Sequence, residues 1–256
     1  MQIYVCVKHV PDTAAYIRII GVDGFDESCK FVMNPYDEYA VEEALRIVKR
    51  EGKGMVVIVT VGKEPAVSAI RSALAMGADR GIHIKTDESF LDPTLKSMAI
   101  KRAIEQDGNP DLIFSGRQSI DSEGMQTHFR LAAAFGMPVV TDVVDLVIKD
   151  GMAIVEREIG GGSKEVIEMR IPCVIGATKG LNEPRYAKLP DVMKAKRKEI
   201  KQIKIGSLGV DTSSGTTKLV GLTLVPERGQ ATMLEGDTRD MVQELVGFLK
   251  KKDKVL

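Results

Sequence analysis

The residues best suited to chemistry follow "DLIFS", an apolar run that predicts a buried strand ending at Gly116. A helix is predicted to begin near Glu123. Amide groups at a helix start carry about half a positive charge and favour an anion such as a phosphate. Ser122, Gln126 and Thr127 add side chains that can donate hydrogen bonds to it. A nucleotide phosphate site is one interpretation of this loop, and a plain strand–helix connection with polar capping residues is the other.

Catalytic and nucleotide-hydrolysing motifs are missing from the sequence. The stretch "GGGSK" lacks the spacing and the Lys-Ser order of a Walker loop, and its setting indicates a hairpin turn. After the first strand "KHVPDT" stands where a dinucleotide fingerprint would have its glycines. The histidines and cysteines are too dispersed for a metal site or an activated nucleophile. We predict no catalytic residue and no metal ligand. The side chains considered are His9, His83, His128, Cys6, Cys29 and Cys173.

Alternating segments in the first half predict the fold class. The apolar runs "IYVCVK", "MVVIVTV", "GIHIK" and "DLIFS" are separated by segments with helical spacing, which indicates an α/β fold with a mostly parallel sheet and helices on both faces. One helix is predicted to start with Asn34 as N-cap, Pro35 in its first turn and Asp37 reaching back to the cap amide. Residues 64–76 predict another, closed by Gly77. Ligands of such sheets bind beyond the carboxyl ends of the strands.

The second half follows a different pattern. "AIVEREI" and "KEVIEMRI" alternate around "GGGS", which predicts an antiparallel hairpin, and "PCVIGAT" predicts another buried strand. Residues 180–216 show no lasting periodicity and indicate an extended surface segment. A short strand "KLVGLTLV" and a helix from about residue 237 to 251 are predicted to follow.

Composition narrows the classes of protein. The 256 residues hold 36 Lys+Arg and 36 Asp+Glu, so no overall field recruits nucleic acid or an anionic membrane. A mean hydropathy of −0.04 is typical of globular proteins. No run approaches the roughly 20 apolar residues of a membrane span, and no secretory leader is recognised. We expect a cytoplasmic protein in a reducing compartment, without nucleic-acid binding or membrane insertion.

Six stretches occur in an order that resembles a known family. They are "CVKHVPD", "NPYDEYAVEEALRI", "ALAMGADRGIHI", "GRQSID", "VEREIGGG" and "LNEPRYAKLPDVMKAKRKEI". Together they resemble the β subunit of electron transfer flavoprotein over residues 1 to about 210. The resemblance implies a Rossmann-like sheet of the adenine nucleotide α-hydrolase type, a heterodimer with an α subunit that holds most of an FAD, and a chain that is not a self-sufficient enzyme.

The partners and cofactors also come from this resemblance. It implies that electrons pass from an acyl-CoA dehydrogenase-type flavoenzyme to a downstream oxidoreductase, and that the β subunit holds AMP or a second FAD. The residues that match the family's nucleotide contacts are Cys6, Asn34, Pro35, Tyr36, Asp37, Val61, Asp121, Ser122, Glu123, Gly124, Met125, Gln126 and Thr127.

Residues 181–200, here called the recognition segment, match the loop and basic helix with which the family holds a dehydrogenase. Leu189 matches the anchoring leucine, and Pro190, Met193 and Lys194 accompany it. The cations that end the segment are expected either to attract acidic partners or to lie against the α subunit. The resemblance thus implies three parts: a nucleotide-binding domain (1–180), the recognition segment, and an arm packing on the α subunit (201–256).

Several interpretations stay open. Thr13 and "KGLNEPRY" are more similar to family members that bind a second FAD and bifurcate electrons from NADH, whereas "ALAMGADRGIHI" is similar to the simple, AMP-binding carriers. His128, Phe129 and Arg130 stand where both groups have small residues. A stand-alone adenine-nucleotide sensor is a further alternative. An adenylating or ATP-pyrophosphatase enzyme is disfavoured, because "KHVPDT" is not its Ser-Gly-Gly loop.

Overall fold

The computed structural model describes residues 1–226 and 229–251, which fall into two compact units, Met1–Leu222 and Thr223–Leu256. The first unit is an α/β layered structure, and the second contains one helix. Thirteen strands are present in the described residues: β1 (Gln2–Cys6), β2 (His9–Pro11), β3 (Ile19–Ile20), β4 (Gly24–Phe25), β5 (Phe31–Met33), β6 (Met55–Gly62), β7 (Arg80–Lys85), β8 (Leu112–Gly116), β9 (Val139–Lys149), β10 (Met152–Gly160), β11 (Ser163–Arg170), β12 (Cys173–Ala177) and β13 (Ile200–Lys204). The α-helices are α1 (Pro35–Glu51), α2 (Val67–Met76), α3 (Pro93–Glu105), α4 (Thr127–Phe135), α5 (Leu189–Ala195) and α6 (Thr238–Lys251).

Nine strands form one sheet in the order β11-β10-β9-β12-β8-β1-β6-β7-β13. The pairs from β9–β12 to β7–β13 are all parallel, and only β9–β10 and β10–β11 are antiparallel. Two small two-stranded sheets, β2–β5 and β3–β4, lie outside it. The mostly parallel α/β sheet predicted from the alternating runs is therefore confirmed.

Helices cover both faces of this sheet, because successive strand residues point in opposite directions. Ile3 and Val5 of β1 pack with the buried faces of α1 and α2, whereas Tyr4 and Cys6 pack with α3 and α4. A strand buried on both faces must be apolar throughout, which is why "IYVCVK" and "MVVIVTV" do not alternate with polar residues.

The antiparallel part matches the predicted hairpin. Strands β10 and β11 pair with Gly160 opposite Ser163, and Gly160, Gly161 and Gly162 all have positive φ in the turn between them. Glycine adopts such angles without steric cost. Strand β12, from "PCVIGAT", is wholly buried between β8 and β9. The positions of both features follow from the sequence pattern.

The chain after residue 200 differs in part from the prediction. Strand β13 joins the sheet edge beside β7, and Ile205, Leu208 and Val210 are buried beneath it. The strand predicted for "KLVGLTLV" is wrong: residues 218–225 have no regular secondary structure. The helix predicted for 237–251 is confirmed as α6. Residues 252–256, the end of the predicted arm, lie outside the described residues.

Within the described residues, no helix combines the length and apolar character that crossing a bilayer requires. The same residues contain no group of three or more His, Cys, Asp or Glu side chains arranged to hold a metal ion.

Candidate functional site

Two adjoining cavities lie at the carboxyl ends of β1, β6 and β8. The inner one has a volume of about 120 Å³ and reaches the ends of these strands and the start of α4. The wider one has about 470 Å³ and shares with it lining residues that include Lys8, Val61 and Lys96. From β1 the chain continues to β6 and β7 on one side, whereas β8 lies on the other side of β1. The cavities therefore occupy the switch point of the sheet, where α/β proteins bind ligands.

Asp37 connects the three segments that form the inner cavity. Its carboxylate accepts hydrogen bonds from Lys8 N (2.7 Å), Gly116 N (2.9 Å) and Asn34 Nδ2 (2.9 Å). The prediction that it reaches back to the cap amide of α1 is therefore wrong. Burial raises the pKa of Asp37 to about 7, although these three hydrogen bonds act in the opposite direction. Asp37 fixes the ends of β1 and β8 to the start of α1.

Gly116 is required by this arrangement. A Cβ atom at position 116 would lie 2.5 Å from Asp37 Oδ1 and 2.5 Å from Tyr36 Cβ. Both neighbours belong to the first turn of α1, which packs directly on the end of β8. Gly116 is therefore needed so that the backbone of β8 can pack closely against α1. The helix predicted to begin near Glu123 begins only at Thr127, as α4.

Asn34 holds the loop that follows Gly116. It occupies the N-cap position of α1 as predicted, but its side chain makes no capping hydrogen bond. Nδ2 instead donates to Gln118 O (2.9 Å), and Oδ1 accepts from Ile120 N (3.2 Å). The "NPYD" stretch therefore holds the strand ends and the loop in place, and its Asn34 and Asp37 also line the cavity.

Lys8 and Asp121 form an ion pair at the mouth of the cavities. The Nζ–Oδ1 distance is 2.6 Å, and the ammonium also contacts the hydroxyls of Ser119 and Ser122 at 3.2 Å. Burial alone would raise the pKa of Asp121, but the charge of Lys8 and the hydrogen bonds hold it below its ordinary value. Arg117 is compensated likewise by Asp142, with Nη1 and Oδ1 2.8 Å apart.

Lys96 differs from these two cations. It projects from α3 into both cavities, and among the described residues its ammonium has neither an ion-pair nor a hydrogen-bond partner. Burial, and secondly the positive charge of Lys8, lower its pKa to about 8, against the more distant attraction of Asp121 and Asp92. An uncompensated cation in a largely apolar cavity favours a ligand with negative charge.

The start of α4 contributes donors and one unsatisfied side chain. Gln126 precedes the helix without a side-chain cap, and Glu123 and Met125 adopt left-handed φ angles of 47° and 50° in the loop. His128, only 1% exposed, lines the inner cavity, and its Nε2 has no hydrogen-bond partner in the described residues. Burial lowers the pKa of His128 to about 4, against the attraction of Asp142, so the ring is neutral near pH 7.

Most of the sequence-predicted residues come together here. Nine of the thirteen line the inner cavity: Cys6, Asn34, Asp37, Val61, Ser122, Gly124, Met125, Gln126 and Thr127. Asp121 lines the wider cavity. Pro35, Tyr36 and Glu123 line neither; Tyr36 packs on Gly116 and lies 5.8 Å below the guanidinium of Arg117. Contact of these residues with a nucleotide stays a prediction.

Sequence reasoning missed Lys8, Lys96, Arg117 and a site position for His128. The sequence spacing could have identified Lys96: it precedes Ile100 by four positions, so a cation lies on the apolar face of an amphipathic helix. His128 left a weaker signal, because it stands three residues before Leu131 on the buried face of α4. Arg117 has no such signal, since its position depends on the distant Asp142.

The recognition segment forms a second surface of the same unit. At its base Arg185 binds Glu42 with Nε–Oε2 at 2.6 Å, and Lys198 Nζ donates to Leu74 O and Ala78 O at the end of α2. At its tip the side chains are exposed: Leu189 is 77% accessible and Met193 54%. Helix α5 ends at Ala195, so the cations of 196–198 follow the helix instead of forming it.

The cavity fits an adenine nucleotide. Cys6, Val59, Val61 and Ile100 provide an apolar wall for a base, whereas Lys96 and the donors before α4 suit a phosphate. Sites for small molecules usually measure about 300–1,000 Å³, so the inner cavity alone is too small and a nucleotide would extend into the wider one. Nε2 of His128 is a further polar group in the wall, and none of the residues that the structure describes forms a hydrogen bond with it.

Comparison with known proteins supplies the family. The model of the electron transfer flavoprotein domain matches residues 23–207. The chain is 39% identical to the mitochondrial electron transfer flavoprotein subunit beta of Arabidopsis thaliana, 34% to the electron transfer flavoprotein subunit beta of Bacillus subtilis (strain 168) and 36% to that of Mus musculus. The first two alignments cover 100% of both chains, and the third covers 96% of each. The chain therefore belongs to the electron transfer flavoprotein family, as a β subunit.

Proposed function

We propose that this β subunit pairs with an α subunit and carries electrons from acyl-CoA dehydrogenase-type flavoenzymes to a downstream oxidoreductase. The FAD is held mainly by the α subunit and supplies the redox chemistry when bound. This chain supplies two binding surfaces, the nucleotide cavity and the recognition segment. The proposal rests on membership in the family, since "subunit beta" in the relatives' names implies a further subunit.

The observation that carries the partner role is the exposure of Leu189 on a fixed base. The side chain is 77% accessible at the first turn of α5, whereas Arg185 and Lys198 tie the flanking chain to α1 and α2. An apolar side chain held out in this way loses little conformational entropy when a partner buries it. Pro190 restricts the backbone further. Burial of one leucine contributes about 2 kcal/mol, which suits a contact that must form and dissociate at every electron transfer.

The cofactor of the β subunit itself is proposed to be AMP, or the adenylate part of a second FAD. Lys96 and Lys8 would face the phosphate together with Ser122, Gln126 and Thr127, and the strand ends would face the base. No residue of the cavity is assigned a catalytic role. Asp37 and Asn34 keep the strand ends and the loop in place.

The partner role is tested with Leu189→Ala in the purified heterodimer. We expect the affinity for an acyl-CoA dehydrogenase to fall about thirtyfold, measured by the dependence of flavin reduction on dehydrogenase concentration. Val166→Ala is the matched control, since Val166 is an exposed apolar residue of strand β11, outside the recognition segment, and should leave this affinity unchanged. An unaltered affinity for Leu189→Ala contradicts the anchor role.

The cofactor is tested by releasing and counting nucleotides from the same heterodimer. One FAD and one AMP per dimer agree with a simple carrier. Two FAD per dimer would favour the bifurcating alternative, in which NADH is oxidised. A chain that is isolated without any flavin-bearing subunit and binds only an adenine nucleotide would instead support the sensor module.

A further inference from the structure

Three cations line the inner cavity, but only one of them lacks a counter-charge within the described residues. Lys8 is paired with Asp121, and Arg117 with Asp142, at 2.6 and 2.8 Å. Lys96 lies between α3 and the loop before α4 without a carboxylate partner. Within each of these two ion pairs the positive and negative charges largely offset each other. The positive charge that a ligand meets therefore comes mainly from Lys96.

The carboxylates near Lys96 are already engaged by other groups. Asp121 accepts from Lys8, and Asp92, at the start of α3, accepts from Thr94 N, Leu95 N and residues 216–217. Asp37 lines the same cavity, but its oxygens accept from two backbone amides and Asn34. His128 on α4 is neutral. Asp121 and Asp92 therefore attract Lys96 only from a distance, and no carboxylate of the described structure forms an ion pair with it.

We infer that Lys96 provides the counter-charge for the phosphate of the bound nucleotide and makes this site prefer a nucleotide over its uncharged nucleoside. The inference rests on the proposed nucleotide site and names the residue that determines its selectivity. A charge-assisted hydrogen bond to a phosphate is strong in a site shielded from water, and burying the cation without an anion is costly. The ligand that relieves this cost must carry negative charge at the α3–α4 side of the cavity.

The position of Lys96 also couples nucleotide binding to the uptake of protons. The surroundings that the chain itself provides lower the pKa of Lys96 to about 8, chiefly by burial. A bound phosphate raises it again, so the charged lysine binds the nucleotide and binding takes up protons near pH 8. The preference for the nucleotide is complete below that pH and falls about tenfold between pH 7 and pH 9. The phosphate itself, with a second pKa near 6, stays doubly ionised over this interval.

The experiment is competition between radiolabelled AMP and adenosine in equilibrium dialysis with the purified heterodimer. At pH 7 the wild type is expected to bind AMP at least about tenfold more tightly than adenosine. Lys96→Gln should lose most of this preference. Lys96→Arg should keep it and also retain it at pH 9, because arginine stays charged. Lys101→Gln is the matched control, since Lys101 on the same helix is paired with Glu105 and does not line the cavity.

Asp37 also titrates near this range, with a pKa raised to about 7, but it is present in every variant. The difference between the wild-type and Lys96→Arg profiles therefore isolates Lys96. Because the half-buried Lys96 has no ion-pair partner among the described residues, Lys96→Gln is not expected to lower the urea midpoint, and this measurement checks that the variant is folded.

Two results overturn the inference in distinguishable ways. AMP bound equally well by the wild type and by folded Lys96→Gln, with the same pH profile, would remove the role of Lys96 and leave the nucleotide site standing. Binding of neither AMP nor adenosine to the wild type would remove the proposed nucleotide site itself, and the role of Lys96 with it.

Discussion

The cavity at the strand ends, where we propose a nucleotide to bind, differs from the tip of the recognition segment in how its side chains are held. Around the cavity, Asn34 and Asp37 make hydrogen bonds to three separate segments and are almost wholly buried. At the tip, Leu189 and Tyr186 project into solvent, and Tyr186 is 98% exposed. A preformed, buried site favours a ligand that stays bound, whereas an exposed apolar group favours brief contacts. This difference agrees with the two binding roles that we propose for the domain.

The recognition segment is itself divided. Its base is fixed by Arg185 and Lys198 to the helices α1 and α2, and the exposed apolar side chains Tyr186, Leu189 and Met193 lie between these two residues. The residues of the cavity and of the segment base are fixed, whereas those of the tip are free. We therefore expect substitutions in these two groups to have different effects. Fixed residues should change the free energy of unfolding, and free residues should change only the affinity for a partner.

The largest effect is expected for Asp37→Ala. The change leaves Lys8 N and Gly116 N without their acceptor in a buried site, and each such donor costs about 1–3 kcal/mol. We expect a loss of about 4 kcal/mol in the free energy of unfolding, measured by urea denaturation of the heterodimer. Glu51→Ala, at the exposed end of the same helix, should change it little. Equal losses of unfolding free energy in Asp37→Ala and Glu51→Ala would contradict the role of Asp37 in holding the cavity together.

A smaller effect, about 2 kcal/mol, is expected for Asp92→Ala. Asp92 caps α3 through Thr94 N and Leu95 N, and it holds the chain near the sheet edge through the amides and hydroxyls of Thr216 and Thr217. The hydrogen bond from the Thr217 hydroxyl, with those from backbone amides, holds the pKa of Asp92 far below its ordinary value despite burial.

The pH dependence of this prediction has a definite sign. The stabilisation by Asp92 is complete above the pKa of about 4 of an unfolded aspartate and is lost as the pH falls toward the lower folded pKa. The difference in urea midpoint between the wild type and Asp92→Ala should thus be constant from pH 5 to 8 and shrink below about pH 4. A difference that is independent of pH would show that the carboxylate charge is not involved. Asp87→Ala, an exposed neighbour in sequence, serves as control.

Within the recognition segment, Lys198→Met should cost about 1 kcal/mol and Lys196→Met almost nothing. Lys198 Nζ donates to Leu74 O and Ala78 O at 3.1 and 2.6 Å, where the carbonyls of α2 end. Lys196 is exposed. Thermal unfolding of the two variants compares them directly. Equal midpoints would mean that the fixed base does not extend to residue 198.

The smallest effect on stability is expected for Leu189→Ala, because a side chain that is already 77% accessible loses little burial. Its urea midpoint should equal that of the wild type within error, even though its affinity for the dehydrogenase falls. A clear loss of stability would place Leu189 among the fixed residues and contradict the division between base and tip.

Much of the fold was predictable because it depends on local pattern. Continuous apolar strands require cover on both faces, the hairpin has its glycines where φ is positive, and Gly77 closes α2. Two errors have physical causes. The polar loop after Gly116 was assigned to a helix that starts only at Thr127, since helix propensity does not fix a boundary. Residues 218–225 are apolar enough for a strand, but they pair with no strand of the described sheets, and Leu222 N donates instead to Val22 O in a turn.

The sequence by itself determined the alternation of strands and helices, the family and the apolar tip of the recognition segment, because these depend on residue type and order. Only the tertiary structure decided which charges are compensated. Lys8, Lys96 and Arg117 look alike along the chain, yet Asp121 and Asp142 reach only two of them. Ion pairing depends on distances of a few ångströms between residues far apart in sequence. The chain had to fold before Lys96 could be recognised as the cation left for a ligand.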